Sequence, residues 1–405
     1  MTNILELLKN EKVEWKKLGE VCEFNRGKTI TKKNAVEGDI PVIGGGQKSA
    51  YYHNESNREG STITVAGSGA YAGFVSYWEQ PIFVSDAFSI DEDEELNKRY
   101  LYHWLLQNQF RIYELKQGSG IPHVYGKDLA KFEIPIPSLE TQKKIVGILD
   151  KFTNYVTELQ SELQLRTKQY TYYRDKLLSE DYLNKITKEM EEDRKLEIVT
   201  LGEIGEFTRG NGLQKKDFKD KGNPVIHYGQ IYTKYGFTAE KVLSYVSDEI
   251  FSKLRKAQKN DILIATTSEN IEDVGKSVVW LGDEEVGFSG DMYSYSTQQN
   301  SKYIAYCFQT NNFQRQKEKK ATGTKMIRIH ANDMERFEIP LPPLSLQNKI
   351  VKILDKFQIL LADTKGLLPE EIEKRQKQYE YYREKLLTFD IECSSTHART
   401  HAHNI

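Results

Sequence analysis

The sequence is written twice. Residues 132–152, FEIPIPSLETQKKIVGILDKF, recur at 337–357 as FEIPLPPLSLQNKIVKILDKF, 205 positions on, with 15 of 21 identical. RTKQYTYYRDKLLS from Arg166 recurs from Arg375 as RQKQYEYYREKLLT at an offset of 209, with 10 of 14 identical, so four residues separate the spacing of the two copies. LGEVCEFNRGKTITKK from Leu18 recurs from Leu201 as LGEIGEFTRGNGLQKK at an offset of 183, with 9 of 16 identical. That offset continues to Pro41-Val42-Ile43 and Pro224-Val225-Ile226 and sets Gln47 opposite Gln230. Between these blocks the likeness fades, and the second copy is 22 residues longer. Each copy has fixed ends around a variable middle, the pattern of a duplicated supersecondary unit.

The closing blocks carry helix signals. Ile145, Leu149, Phe152, Val156, Leu159, Leu163, Arg166, Tyr170, Tyr173 and Leu177 alternate steps of four and three, all apolar or aromatic except Arg166. That is an a/d seam held over more than four heptads. The second copy runs through Ile350, Leu354, Phe357, Leu361, Thr364, Leu368 and Ile372, then resumes through Arg375 to Tyr379, Tyr382 and Leu386. A four-residue insertion adds about one turn and keeps the face, while Gly366 and Pro369 predict a local break. A single stripe of this kind also suits an ordinary amphipathic core helix. Two matching stripes favour pairing with each other, antiparallel and about a pseudo-twofold. Each helix of roughly 35 to 40 residues spans on the order of 55 Å, a spacer as well as a core.

The middles read as strands and turns: STITVAG, YAGFVSYW and QPIFVSDAFSI in one copy, NDILIATT, GKSVVWLG and DMYSYST in the other. Short helices are expected at KRYLYHWLLQNQF and KYIAYCFQTNNFQRQ. At about 150 residues per domain the chain holds two or three domains. The expected fold is α+β: two tandem mixed α/β modules separated by two long antiparallel coiled-coil helices, a pseudo-twofold internal repeat. The expected boundaries are a first module over 1–138, a central helix and linker over 139–195, a second module over 196–343, a C-terminal helix over 344–390 and a disordered tail over 391–405. With 38 % hydrophobic residues, 24 Tyr and 17 Phe the chain can fold, and a formal charge of −2 gives no global basic field. No apolar run reaches about 18 residues and the first residues are charged, so no membrane partner and a cytoplasmic location are expected. Cys22, Cys307 and Cys393 are too far apart for a zinc site and read as inert thiols.

Catalytic motifs fail on inspection. Gly67, Gly69 and Gly73 with Asp86 imitate a dinucleotide fingerprint, but no room remains for its crossover helix, and a glycine-rich turn is the better reading. Gly27-Lys28-Thr29 and Gly275-Lys276-Ser277 lack the upstream glycine of a phosphate loop. Glu14-Trp-Lys16 and Glu318-Lys-Lys320 are triplets expected by chance. No methyltransferase tetrapeptide is present, and His397, His401 and His403 lie in a polar tail. No catalytic residue and no metal ligand is assigned.

What remains is polar and basic decoration. Arg26, Lys28, Lys32 and Lys33 answer to Arg209, Asn211, Lys215 and Lys216; near them stand Gln47, Lys48 and Tyr51, and His227, Tyr228 and Gln230. A second site precedes each closing block, with Ser119, His123 and Tyr125 in one copy and Thr322, Thr324, Lys325 and Arg328 in the other. Lys and Arg neutralise phosphates, and Gln, Asn, His and Arg read base edges. A solvated surface or simple turns would look the same by composition.

Through its duplicated Phe-Glu-Ile-Pro-x-Pro-x-Leu block, its two Lys-Gln-Tyr-x-Tyr-Tyr-Arg-x-Lys-Leu-Leu blocks and its Leu-Gly-Glu openings, the chain resembles the specificity subunits of type I restriction-modification systems over about residues 14 to 390. The resemblance implies two target-recognition domains, each reading half of a split site in double-stranded DNA, held apart by the helix pair. It implies that the helices dock two modification subunits, which carry S-adenosylmethionine, and that restriction subunits join to cleave DNA with ATP and Mg. No cofactor is expected in this chain. The alternative is a bivalent adaptor for protein or glycan; a self-sufficient nuclease or methyltransferase is a third and less favoured reading.

Overall fold

The computed structural model describes Leu8, residues 11–190 and residues 196–389. The expected tail, with Cys393, His397, His401 and His403, lies outside the described residues. The chain divides into two units, Met1–Ser161 with Leu367–Ile405, and Glu162–Gly366. The division falls inside both long helices, the central helix Leu139–Leu177 of 39 residues and the C-terminal helix Leu344–Leu387 of 44. Each unit therefore holds one α/β module with part of each helix.

The expected break at Gly366 and Pro369 is absent: the C-terminal helix runs through both residues. Both are exposed, as is Lys365, whose carbonyl loses the bond that Pro369 cannot make, and the four-residue insertion continues the helical face.

Within each unit the helices pair antiparallel through the same contact made reciprocally. In the first unit Phe152 of the central helix stacks on Tyr382 of the C-terminal helix, centroids 5.2 Å apart and planes at 17°. In the second unit Phe357 stacks on Tyr173, at 5.7 Å and 11°. Phe152 and Phe357 are the same position of the repeat, as are Tyr173 and Tyr382. The early part of each helix thus meets the late part of its copy. Ile145, Leu149, Ile350, Leu354, Leu361, Tyr170, Tyr379 and Leu386 are buried along these seams, and Leu159 and Leu177 half-buried. After Tyr170 the buried face moves off the strict heptad to Arg174 and Leu178, leaving Tyr173 38 % exposed, because a 3.6-residue helix drifts against a 3.5-residue repeat.

The modules share a sheet plan. In the first, an antiparallel sheet runs in the order Cys22–Arg26, Ala87–Glu92, Thr62–Ala66, Val75–Trp78. Beside it lie Tyr51–His53, Ile40–Ile43 and Phe83–Val84, the last two parallel. The second module repeats this as Gly205–Arg209, Met292–Thr297, Ile262–Ala265, Ser277–Trp280, and adds Thr238–Ala239 at the sheet's end. Its smaller sheet, Ser244–Val246, Asn223–Ile226, Val286–Phe288, gains Lys256–Ala257. The 22 extra residues of the second copy thus accommodate two strands and the short helices Tyr228–Thr233 and Asp248–Lys253.

The repeated blocks supply the frame. Leu18 and Leu201 are fully buried, and each starts a one-turn helix in which Glu20 or Glu203 accepts a hydrogen bond from the backbone of Lys17 or Thr200. Their amides reach the closing block: Leu18 N to Phe132 O at 2.8 Å, Leu201 N to Phe337 O at 3.0 Å. The glycine that follows must be small, since a Cβ on Gly19 would lie 3.1 Å from Ala130 Cβ and one on Gly202 3.2 Å from Glu335 Cβ. Pro135 and Pro340 are tolerated because their strands pair on one side only, in two-stranded sheets. Their carbonyls accept the buried hydroxyls of Tyr100 at 2.9 Å and Tyr303 at 2.6 Å. Gln142 and Gln347, wholly buried in the first turns of the long helices, accept from the amides of Asn97 and Asn300 and donate to the carbonyls of Pro137 and Pro342.

Candidate nucleic-acid interface

In the first module the opening strand, the glycine-rich turn and the loop before the closing block converge on one cleft of about 630 Å³, lined among others by Arg26, Asp86, His123, Tyr125 and Lys127. Arg26 ends its strand and is exposed. Gly45 has to be glycine, because a Cβ there would lie 2.4 Å from the carbonyl oxygen of Ser68. His123 is fixed twice over: its backbone pairs with Gln117 in both directions, and its Nδ1 lies 2.8 Å from the carbonyl oxygen of Ile121. Its ring stacks on Tyr125 at 6.1 Å, and Lys127 Nζ stands 5.5 Å from the Tyr125 centroid.

The second module repeats this loop residue for residue. Thr322 and Arg328 exchange backbone bonds as Gln117 and His123 do, and Gly323 at φ +117° matches Gly118 at φ +104°, a left-handed turn that only glycine adopts without cost. Ser119 and Thr324, and Gly120 and Lys325, then occupy equivalent exposed positions. The loop tips are apolar and uncovered, Ile121 at 63 % and Met326 at 39 % exposure. Arg328 pairs in register with Thr267, whose carbonyl accepts from Tyr232 Oη at 2.7 Å. Burial holds His227 below its ordinary pKa, assisted by the nearby charge of Lys215 and opposed by Asp291. Lys215, His227, Asp291, Thr267 and Arg328 therefore belong to one neighbourhood.

Other sequence-assigned residues are exposed nearby or engaged inside their modules. Lys28, between the cleft residues Gly27 and Thr29, and Lys32, Lys33, Gln47 and Lys48 are exposed in loops, and Lys216 is exposed in the one-turn helix Lys215–Asp217. Tyr51 donates through its hydroxyl to Ile30 O at 2.6 Å. Asn211 bridges Lys253 O and Arg255 N, and Gln230 bridges His227 N and Ser244 Oγ. His227 caps the helix Tyr228–Thr233 through Nδ1, while the amide of Tyr228 donates to Ser289 Oγ. Sequence reasoning missed Asp86 as a cleft residue, and it missed Ser68, Lys127, Thr267 and Asp291. The offset of 205 between Asp86 and Asp291 was the available signal. Among the described residues no group of three or more His, Cys, Asp or Glu is placed to hold a metal ion, and no helix is long and apolar enough to cross a membrane.

The family described as the type I restriction modification DNA specificity domain matches this chain twice, over residues 10–168 and 193–374. The chain belongs to the specificity subunits of type I restriction-modification systems. It is 31 % identical to the EcoR124I/EcoR124II specificity subunit of Escherichia coli, over 96 % of this chain and 97 % of that one. It is 30 % identical to a type I restriction enzyme specificity subunit, by its given name, of Haemophilus influenzae, over 96 % and 98 %. The type I S subunit of M. genitalium, known from its crystal structure, shares the fold at a TM-score of 0.57 and 19 % identity, covering 94 % of this chain and 98 % of its own. This specificity subunit recognises DNA sequence, and its DNA-binding part comes in two halves.

Proposed function

We propose that each module of this specificity subunit reads one half of a split site in double-stranded DNA, and that the helix pair fixes the spacing between the halves. One observation carries this reading: two loops built on the same frame of hydrogen bonds present different side chains, His123 and Gly120 in one where Arg328 and Lys325 stand in the other. Base identity depends on groove-facing side chains, so a common frame with divergent faces suits two unrelated half-sites. The exposed Leu165, Tyr172, Ile359 and Leu360 on the long helices, each about 60 % exposed, suit docking of modification subunits. Those subunits, and the restriction subunits that join them, carry S-adenosylmethionine, ATP and Mg; this chain is non-catalytic and works in the cytoplasm. The experiment is methylation mapping in cells expressing the chain with its modification subunit. A bipartite motif with a fixed gap is expected, and a continuous motif contradicts the reading.

A further inference from the structure

We propose that Asp86 and Asp291 are specificity-determining residues, each accepting a hydrogen bond from the exocyclic amino group of a cytosine or adenine, one in each half-site. The inference rests on the reading of the modules as DNA readers and goes beyond it to a residue and a chemical group.

The two carboxylates occupy one position of the repeat, immediately before Ala87–Glu92 and Met292–Thr297. Their backbones are held alike: Gly67 N donates to Asp86 O at 3.1 Å and Thr266 N to Asp291 O at 3.0 Å. Their side chains are held alike too, by a hydroxyl of the neighbouring turn. Ser68 Oγ donates to Asp86 Oδ2, and Thr267 Oγ1 lies 3.4 Å from Asp291 Oδ1. In each case these hydroxyls leave the second carboxylate oxygen uncommitted, and among the described residues neither aspartate forms an ion pair.

Around them stand the cations Arg26 and Lys127 in the first cleft and Lys215 and Arg328 in the second neighbourhood, with the rings of His123 and His227 beside them. Such a surface draws phosphates, and a carboxylate repels them. A carboxylate kept there in both modules, oriented by a hydroxyl but free of any cation, needs a hydrogen-bond donor on the ligand. In the major groove the base edges offer one such donor per pair, N4 of cytosine or N6 of adenine. An acceptor pressed against a base edge without that donor remains desolvated and unpaired, which is how the wrong base is rejected.

The test uses the full chain with its modification subunit and maps methylated sites for wild type, Asp86→Asn, Asp291→Asn and Ser68→Ala. In D86N the amide NH₂ competes with the acceptor. One position of one half-site should become degenerate, with methylation of sites that carry another base there rising about tenfold or more relative to sites with the wild-type base. D291N should do the same at one position of the other half-site. S68A should relax the D86N position more weakly, because it only loses the hydroxyl that aims the carboxylate. An unchanged motif in D86N, or an even loss over all sites with no position relaxed, overturns the inference. So does loss of methylation in D86N combined with an S68A motif identical to wild type. A wild-type chain without a bipartite motif would refute the parent reading instead.

Discussion

In the first module Asp150 of the central helix is held by Arg99 at 2.8 Å and by His103 Nε2 at 2.8 Å; in the second, Asp355 of the C-terminal helix is held by Lys302 at 2.8 Å and by Tyr306 Oη at 2.8 Å. These are equivalent positions, with Asn97, Arg99, Tyr100 and His103 each 203 residues before Asn300, Lys302, Tyr303 and Tyr306. The bonds are kept and the groups that make them are not. His103 is wholly buried, with Nδ1 3.0 Å from the hydroxyl of Tyr379, so a neutral imidazole satisfies both its nitrogens by donating to Asp150 and accepting from Tyr379. Tyr306 meets one carboxylate and does not titrate near neutrality. The frame tolerates changes of chemistry that preserve its connections, while the loops it supports carry different side chains.

The largest expected effect is on the helix pair. Deleting Gly366 to Pro369 removes an insertion that only one copy carries, about 6 Å of helix against about 3.4 Å per base pair. Methylation at the original spacing should be lost and reappear with the gap altered by one or two base pairs, both half-sites unchanged. Loss of either half-site sequence would show that the insertion serves a reading module. Next come Gln142→Ala and Gln347→Ala. Each strands buried backbone partners and opens a cavity, so each should cost about 3 kcal/mol by denaturant unfolding, with hydrogen exchange rising in its own module.

The histidine makes the modules differ in acid. Burial pulls the His103 pKa below its ordinary value against the opposing pull of Asp150, with Arg99 and Arg383 adding to the lowering. The unfolded chain then takes up the proton first, so the His103 contribution is full above the ordinary pKa of about 6.5 and shrinks as pH falls toward the lowered one. The Asp150 pKa is also lowered, with burial opposing and bonds from His103 and Arg99 outweighing it; its share is lost only below about pH 4. Hydrogen exchange between pH 7 and 5.5 should loosen the first module around His103, where the second module holds Tyr306 at the equivalent position, and His103→Tyr should remove that loosening while leaving any acid response around His227 in place. Smallest is the effect of Arg26→Ala or Lys215→Ala: if the group meets a phosphate, the slope of log affinity against log salt should fall by about one without a change of motif.

The frame was legible in the sequence because it is carried by repeated blocks. Leu18-Gly19-Glu20, Gln142 and Phe152 recur as Leu201-Gly202-Glu203, Gln347 and Phe357, and each recurrence marks a buried bond or a stacked ring. The heptad stripe showed the seam but not its drift to Arg174, which follows from helix geometry rather than residue type. Pro369 misled, because a proline signal does not tell whether the freed carbonyl faces water. The site was legible only in part. Arg26, His123, Tyr125 and Arg328 were visible by type and position, whereas Tyr51, Asn211 and Gln230 have equally suitable side chains that are engaged within the module. The glycine-rich turn next to Asp86 was legible as a turn, but not that it sets Ser68 against the carboxylate, and the counterpart Asp291 lay beyond the stretch where the two copies align by eye.

On the proposed function the two modules are interchangeable readers on a common frame, joined where Leu18 N meets Phe132 O and Leu201 N meets Phe337 O. The most direct test replaces residues 201–337 with residues 18–132 and maps methylation by the resulting complex. The first module's half-site is expected in both arms of the motif. An arm that keeps the second module's sequence, or acquires a third one, would contradict it.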